Sequence, residues 1–197
     1  MGLRDRFNRL SGQTRFVVSR IFVHLSGRDV APLLGLLNRS AREVVESEGD
    51  MQVLGEQLAR TCESLLEYET FWQSAANEGD VIWDEGEAGD YINELFTDSA
   101  GRYGSAVDLA SDSGEGFAIP MTQNVVVMLA VAFEGEVAEL ETNLADISAL
   151  RAGLKALINL SYRGTLRAIQ IHFSPAQLGD ELTTDQLIER FPELIPL

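Results

Sequence analysis

The sequence predicts an α+β fold: a single domain of about four strands, including a central buried strand, packed with four to five helices. Three observations support this. First, 45% of the 197 residues are hydrophobic, enough for a chain of this length to bury a core without a metal or a disulfide. Second, apolar strand-like runs alternate with segments whose apolar residues recur every three to four positions. Third, the element order β-α-α-β-α-β-α-β-α is typical of an α+β or α/β domain.

The first part of the chain predicts a strand, two helices and a short second strand. Residues 14–25 are rich in β-branched and aromatic residues, which favours a strand, with a helix as the alternative. Apolar residues at helical spacing then predict a helix that ends near Glu46. Asp50 is a typical N-cap for a second helix, whose apolar stripe includes Cys62. Residues 71–75 predict a short strand.

The later part of the chain contains the most apolar segment. The predicted elements are a helix over 87–99, a strand over 125–133, a helix over 140–157, a strand over 166–173 and a short helix opened by a capping box of Thr183 and Gln186. The run 125–133 has no polar alternation, so we expect a central strand covered on both faces. Small and polar residues over 104–116 predict a mobile loop. We expect the apolar tail from Phe191 onward to lie in a groove of its own domain.

Charge is distributed unevenly along this chain, whose net charge is -16. Residues 1–42 hold eight arginines and two aspartates, whereas the rest holds seven basic and 29 acidic residues. We therefore divide the chain into a basic N-terminal arm over 1–13 and a single domain over 14–197. Either the arginines cover the acidic remainder in the fold, or the arm contacts a protein assembly or an anionic membrane surface. The candidate partner-binding residues are Arg4, Arg6, Phe7, Arg9 and Trp83.

The charge pattern argues against nucleic-acid binding, and the hydropathy argues against a membrane-spanning helix. An acidic bulk repels phosphates, so we expect no nucleic-acid binding. The longest apolar run is nine residues, about half of the roughly 20 that a membrane-spanning helix needs. Charged residues near the N-terminus also interrupt any signal-peptide core. We expect a cytoplasmic protein without a transmembrane segment, with peripheral attachment at a membrane surface as a further expectation.

Residue types that could carry chemistry are few and scattered. His24 and His172 lie in predicted strands, without a nucleophile elbow, a Gly-rich phosphate loop or paired histidines, so we interpret both as structural. Cys62 lies on an apolar stripe, which predicts a buried, inert thiol. The acidic stretch 78–90 lacks the spacing of an EF-hand calcium loop. We interpret it as a solvated loop, with a partner-docking edge or a metal or catalytic site as alternatives, and we predict no cofactor, metal or catalytic residue.

Two tryptophans lie in or near this acidic stretch. Trp83 lies inside it and Trp72 shortly before it. A tryptophan beside a charged loop can anchor an interface, but most tryptophans are largely buried in a core. The core is the default interpretation, and an interface anchor at Trp83 is the alternative.

The C-terminal third resembles an uncharacterised domain family found in cyanobacteria and plastids. The strands NVVVMLAVAFEGEV and RAIQIHFSPAQ and the ending LTTDQLIERFPELIPL carry the resemblance. The family's tail has the pattern Tyr or Phe, then Pro-x-Leu-x-Pro-Leu, and the residues that match it are Phe191, Pro192, Leu194, Pro196 and Leu197. The resemblance covers roughly residues 14–197 and departs over 77–116. It implies a shared fold and a photosynthetic cell, but no activity.

Two classes of function follow from these observations. We expect a non-enzymatic accessory or regulatory protein that docks on a larger assembly, because the charge is divided and no catalytic set is present. The alternative is an enzyme, or a metal- or ligand-binding domain, with its site near the acidic stretch 78–90.

Overall fold

The computed structural model describes residues 12–104, 122–177 and 179–197, which form five strands and five helices. The strands are β1 (Phe16–Ser26), β2 (Trp72–Ile82), β3 (Asn124–Glu134), β4 (Leu166–Ser174) and β5 (Ile195–Pro196). The helices are α1 (Ala31–Glu46), α2 (Met51–Glu67), α3 (Glu85–Gly104), α4 (Ile147–Ser161) and α5 (Thr184–Arg190). None of these helices is long and apolar enough to cross a membrane.

The strands form one antiparallel sheet in the order β4-β3-β1-β2-β5. Its middle strand is β1, in which Phe16 pairs with Ile82 of β2 on one side and with Glu134 of β3 on the other. At the outer side of β2, the short β5 pairs only with Ser74 and Ala75. Because every ladder is antiparallel, the α+β class is confirmed over the α/β alternative.

The long apolar run at 125–133 is confirmed as an interior strand. Every residue from Val125 to Phe133 is buried, between β1 on one side and β4 on the other. The run lacks polar alternation because helices cover both faces of the sheet, and not because the sheet is parallel. The strand prediction for 14–25 is confirmed in the same way over its helical alternative.

Helices α1, α2 and α4 cover one face of the sheet. Ile21 of β1 packs there in one buried cluster with Leu37 of α1, Leu58 of α2 and Leu154 of α4. Asp50 caps α2 as predicted, because its Oδ1 accepts hydrogen bonds from the second and third backbone N–H groups of the helix at 2.8 and 3.1 Å. These contacts make this face the larger part of the core.

Helix α3 and the C-terminal segment cover the opposite face. Phe22 of β1 packs there with Ile92 of α3 and with Phe191, whose side chain is almost fully buried. The capping box of Thr183 and Gln186 is confirmed at the start of α5. The tail continues into β5, so the predicted packing of this tail in a groove of its own domain is also confirmed.

Several predicted boundaries differ from the observed ones. The strand predicted over 71–75 extends to Ile82, because pairing with β1 continues through residues that have no apolar pattern of their own. Helix α3 exceeds its predicted range of 87–99 at both ends. Leu140 precedes α4, which begins only at Ile147 after a cap by Asp146.

Two predicted segments fall largely outside the described residues. Of the basic arm over 1–13, only positions 12 and 13 are described. The candidate residues of this arm that lie outside the description are Arg4, Arg6, Phe7 and Arg9. The loop predicted over 104–116 also lies outside it, apart from Gly104 at the end of α3.

Candidate functional site

The outer edge of β2 is open along most of its length. The backbone N–H of Leu197 donates to the carbonyl oxygen of Gln73 at 3.0 Å, and β5 pairs with no residue beyond Ala75. Because backbone groups point alternately to the two sides of a strand, Asn77 and Gly79 direct their N–H and C=O outward, as Gln73 does. In the described part of the chain no other strand pairs with this side of β2. Such an edge can take up a further strand.

This open edge forms the floor of a groove of about 530 Å³. The floor consists of residues 76–81, and the walls are the loop 140–143 on one side and Glu193 and Ile195 of the C-terminal segment on the other. We call this feature the β2 edge groove. It joins segments that are far apart in the sequence.

The loop wall of the groove is held in place by side-chain hydrogen bonds. The Nδ2 of Asn77 donates to the carbonyl oxygen of Thr142 at 2.9 Å, and its Oδ1 accepts from the backbone N–H of Leu144 at 2.8 Å. Glu141 accepts from the Nη1 of Arg15 at 2.9 Å. The wall therefore has a defined position relative to the floor.

Gly79 lies on the floor, where β2 approaches β1 closely. A Cβ at this position would lie 2.3 Å from the carbonyl oxygen of Val18 and 3.1 Å from the Cα of Ser19. Both are backbone atoms of the middle strand, which cannot rotate away as a side chain can. The approach therefore requires a glycine.

Replacement of Gly79 by alanine should lower the free energy of unfolding by about 1–3 kcal/mol, because the added methyl forces the two strands apart. Chemical denaturation followed by circular dichroism measures the change. Gly89→Ala is the matched control: apart from its chain neighbours and the backbone of its own helix, nothing lies within 4 Å of its added Cβ, and in α3 it should stabilise by about 0.5–1 kcal/mol. Equal stability of Gly79→Ala and the wild type would contradict the close approach.

Arg20 is a buried cation at the centre of the sheet, beneath α3. Arg20 is only 3% exposed. Its Nε donates to Oε1 of Glu78 at 2.5 Å, and its Nη1 donates to Oδ2 of Asp98 at 2.6 Å and to Oγ of Ser99 at 3.0 Å. A buried charge is tolerated only when it is paired and hydrogen-bonded in this way. Arg20 thereby fixes the carboxylate of Glu78 beside the floor of the groove.

The ion pairs continue from Asp98 to the C-terminal wall. Asp98 Oδ2 lies 3.0 Å from the Nε of Arg102, whose Nη1 lies 2.5 Å from Oε1 of Glu193. Partial burial alone would raise the pKa of Asp98, but Arg20 and Arg102 together lower it below its ordinary value. In the same way, burial would lower the pKa of Arg102, but the charges of Glu193 and Asp98 raise it. A continuous charge network thus joins β1, β2, α3 and the tail.

The surface around the groove is strongly acidic. Residues 72–104, which form β2 and α3, contain eight acidic residues and one basic residue, Arg102. Burial raises the pKa of Tyr91, and the charges of Glu78 and Asp80 raise it further. The acidic stretch 78–90, predicted as a solvated loop, is instead the end of β2 and the start of α3, so its carboxylates lie partly on the sheet edge and partly on the helix.

Trp83 is the predicted site residue that the structure describes. It follows the last residue of β2 and is half-buried, and its Nε1 is buried without a hydrogen-bond partner in the structure. Trp72 is buried in the core, where its Nε1 donates to the carbonyl oxygen of Leu65 at 3.0 Å. Trp83 thus lies two residues beyond Val81 and does not line the β2 edge groove, whereas the core interpretation is confirmed for Trp72.

The histidines and the cysteine have structural surroundings, as predicted. His24 lies 3.0 Å from Oγ of Ser74 and 3.2 Å from Oδ1 of Asn124, and burial lowers its pKa against the opposing effect of the Asn124 bond. His172 stacks on Tyr103 at 5.1 Å between ring centroids, and burial lowers its pKa. Cys62 is fully buried, which raises the pKa of its thiol.

A metal site is not visible in residues 12–104, 122–177 and 179–197. No group of three or more His, Cys, Asp or Glu side chains there could hold a metal ion. Within the acidic stretch 78–90, Glu78 pairs with Arg20, and Asp84 accepts a hydrogen bond from the backbone N–H of Glu87 at the start of α3. The chemistry that this arrangement supports is binding through backbone hydrogen bonds and charge.

Sequence reasoning missed the residues that build the groove. Arg20 is a single cation on the apolar strand face of Phe16, Val18 and Phe22, and that contrast was a usable signal. Its partners lie 58 and 78 positions away, so no local spacing could identify them. Gly79 carries no signal that separates it from a turn glycine.

Comparison with known proteins places the chain in a family. No curated protein and no solved structure matches it. A family model described as "Protein of unknown function (DUF1517)" matches residues 15–197, which is nearly the whole chain. This confirms the resemblance to an uncharacterised domain family that the sequence indicated. The chain belongs to the DUF1517 family.

Proposed function

We propose that this is a non-enzymatic accessory protein, which docks on a larger assembly by binding an extended, basic segment of a partner protein in the β2 edge groove. The segment would add a strand to the sheet, a known mode of peptide recognition. The edge from Asn77 to Val81 is the observation that supports it best: no strand covers it, although the N–H of Val81 donates to Oδ1 of its neighbour Asp80 at 2.7 Å. At about 3.3 Å per residue these positions offer roughly 17 Å of edge. The family resemblance supports a photosynthetic cell as the setting.

Charge favours a basic occupant. Four carboxylates line the groove: those of Glu78, Asp80, Glu141 and Glu193. Of these, Asp80 is exposed and forms no ion pair with any described residue. A second copy of the same edge would bring like charges together, which is unfavourable between paired strands. A partner with arginine or lysine at alternate positions would pair with Asp80, because the other three carboxylates already have arginine partners, and Trp83 would flank the end of its strand.

A defined peptide tests this proposal. The labelled hexapeptide Arg-Val-Arg-Val-Arg-Val should bind the wild type in fluorescence anisotropy, and its affinity should fall with added salt. Asp80→Lys should weaken binding about fivefold or more, because it turns an attraction into a repulsion. Glu63→Lys makes the same change of net charge on an exposed position of α2 and should leave the affinity within about twofold.

A second peptide separates strand addition from simple charge attraction. Arg-Pro-Arg-Pro-Arg-Pro has the same charge, but its prolines lack the N–H groups that a sheet ladder needs. Equal binding of the two peptides, or equal effects of Asp80→Lys and Glu63→Lys, would contradict docking at the β2 edge groove.

The basic arm over 1–13 is proposed as a second contact, with an anionic membrane or an acidic face of the assembly. Its support is the charge of the sequence alone, and its candidate residues are Arg4, Arg6, Phe7 and Arg9. Deletion of residues 1–13 separates the two contacts in the same assay, because peptide affinity at the groove should not change. A rise in affinity would identify the arm itself as an occupant of the groove.

A further inference from the structure

A small cavity lies on the opposite side of the sheet from α3, between α1, α2 and β4. Its volume is about 220 Å³. Most of its wall is apolar, with Leu37 and Val44 from α1, Leu54 from α2, and Ile171 and Phe173 from β4. It shares no lining residue with the β2 edge groove. It is therefore a separate feature, whose use does not depend on the docking proposal.

Two buried polar side chains of α2 also line this cavity. Gln57 is 2% exposed and Thr61 is fully buried. Neither Oε1 of Gln57 nor Oγ1 of Thr61 has a hydrogen-bond partner in the structure. Positions four apart lie on the same face of a helix, so the two side chains form one polar spot on a wall whose other buried polar residue is Ser40 of α1. An unpaired buried oxygen is unfavourable. A ligand that donates a hydrogen bond to it removes this cost and therefore binds more tightly.

The orientation of the Gln57 amide fixes the kind of partner that this spot accepts. Its Nε2 donates to Oε2 of Glu43 at 2.7 Å. A carboxylate can only accept, so the amide nitrogen must face Glu43 and the acceptor oxygen is left over. Glu43 Oε2 also lies 3.0 Å from the Nη1 of Arg60, which balances its charge. The cavity therefore favours a neutral ligand that donates a hydrogen bond to Oε1 of Gln57. The Thr61 hydroxyl can in turn donate a hydrogen bond to that ligand.

We propose that the cavity binds a small neutral alcohol with an apolar body. The ligand hydroxyl would donate to Oε1 of Gln57 and accept from the hydroxyl of Thr61. An apolar cavity of about 150 Å³ holds one benzene molecule, so this one suits about eight to ten non-hydrogen atoms. A single water would pair with the same two groups but leave most of the volume empty, and buried waters usually have about three partners.

The cavity has a route to the surface along the end of α1. Ala41 and Val45 line both the cavity and an adjoining surface depression, and Val45 is 78% exposed. A ligand could enter here without opening the sheet.

Three probes of similar size test the proposal on the full chain. Benzyl alcohol, ethylbenzene and benzoate are titrated while methyl resonances are followed by NMR. Benzyl alcohol should shift the methyl signals of Val44, Leu54 and Ile171. Ethylbenzene, which lacks the hydroxyl, should bind about tenfold more weakly. Benzoate should not bind, because its carboxylate cannot donate to Gln57.

Thr61→Val removes one half of the polar spot and retains its shape. The variant should keep its melting temperature, since it removes an unpaired hydroxyl, and should lose most of the preference for benzyl alcohol over ethylbenzene. Thr97→Val, on the exposed side of α3, is the matched control and should keep the preference. Equal binding of the two probes to the wild type, an unchanged preference in Thr61→Val, or no shift at the lining residues, which would indicate water only, would each overturn the proposal.

Discussion

Leu129→Asp is expected to unfold the protein or to lower its stability by about 5 kcal/mol or more. Leu129 is fully buried in β3, where it pairs with Ile21 of β1 and Ile171 of β4. The substitution loses the packing of a leucine, about 2–5 kcal/mol, and places a carboxylate without a partner in the core, which costs several more. The free energy of unfolding of a domain of this kind is about 5–15 kcal/mol in total. Circular dichroism during urea denaturation measures the loss.

Leu129→Met is the control for this substitution. It conserves volume and polarity, so it should cost less than about 1.5 kcal/mol. A soluble Leu129→Asp protein with the melting temperature of the wild type would show that β3 is not the interior strand of this sheet.

Phe191→Ala is expected to lower the free energy of unfolding by about 3–5 kcal/mol, the usual cost of removing a buried phenylalanine. Phe191 packs edge-on against Phe22 at 6.4 Å between ring centroids and against Tyr103 at 5.5 Å. Its removal leaves a cavity between β1, α3 and the tail. The loss should appear as a lower midpoint of urea denaturation with an unchanged slope.

The next part of the tail provides the control. Ile195 is 51% exposed, so Ile195→Ala should cost about 0.5 kcal/mol or less. If Phe191→Ala left stability unchanged but abolished binding of a partner, the tail would be a docking peptide and not part of the core.

The sequence predicted the elements whose burial is complete or whose ends are capped. Strand β3 is apolar throughout because both of its faces are covered, so a nine-residue run identifies it without knowledge of its neighbours. Asp50 and Thr183 begin their helices through hydrogen bonds within three residues. The burial of β3 is uniform and the contacts of the two caps are local, so a single sequence is enough to predict these features.

The candidate site could not be predicted because its determinants are long-range. The outer half of β2 reads as a polar loop, and it is a strand only because β1 pairs with it as far as Ile82. The sequence identifies the acidic stretch and allows a partner-docking edge as one interpretation, but it does not show that the first part of the stretch is a strand. The walls come from the loop 140–143 and from Glu193, and no sequence spacing relates them to Asn77.

Hydrogen exchange at the backbone amides of Asn77 and Gly79 is the most direct test of strand addition at β2. Both N–H groups point outward, where an added strand would accept from them, whereas those of Glu78 and Asp80 point towards β1. Saturation of the full chain with Arg-Val-Arg-Val-Arg-Val should slow exchange at Asn77 and Gly79 and leave Glu78 and Asp80 nearly unchanged. Peptide binding without slower exchange at either outward amide would contradict docking at the β2 edge groove.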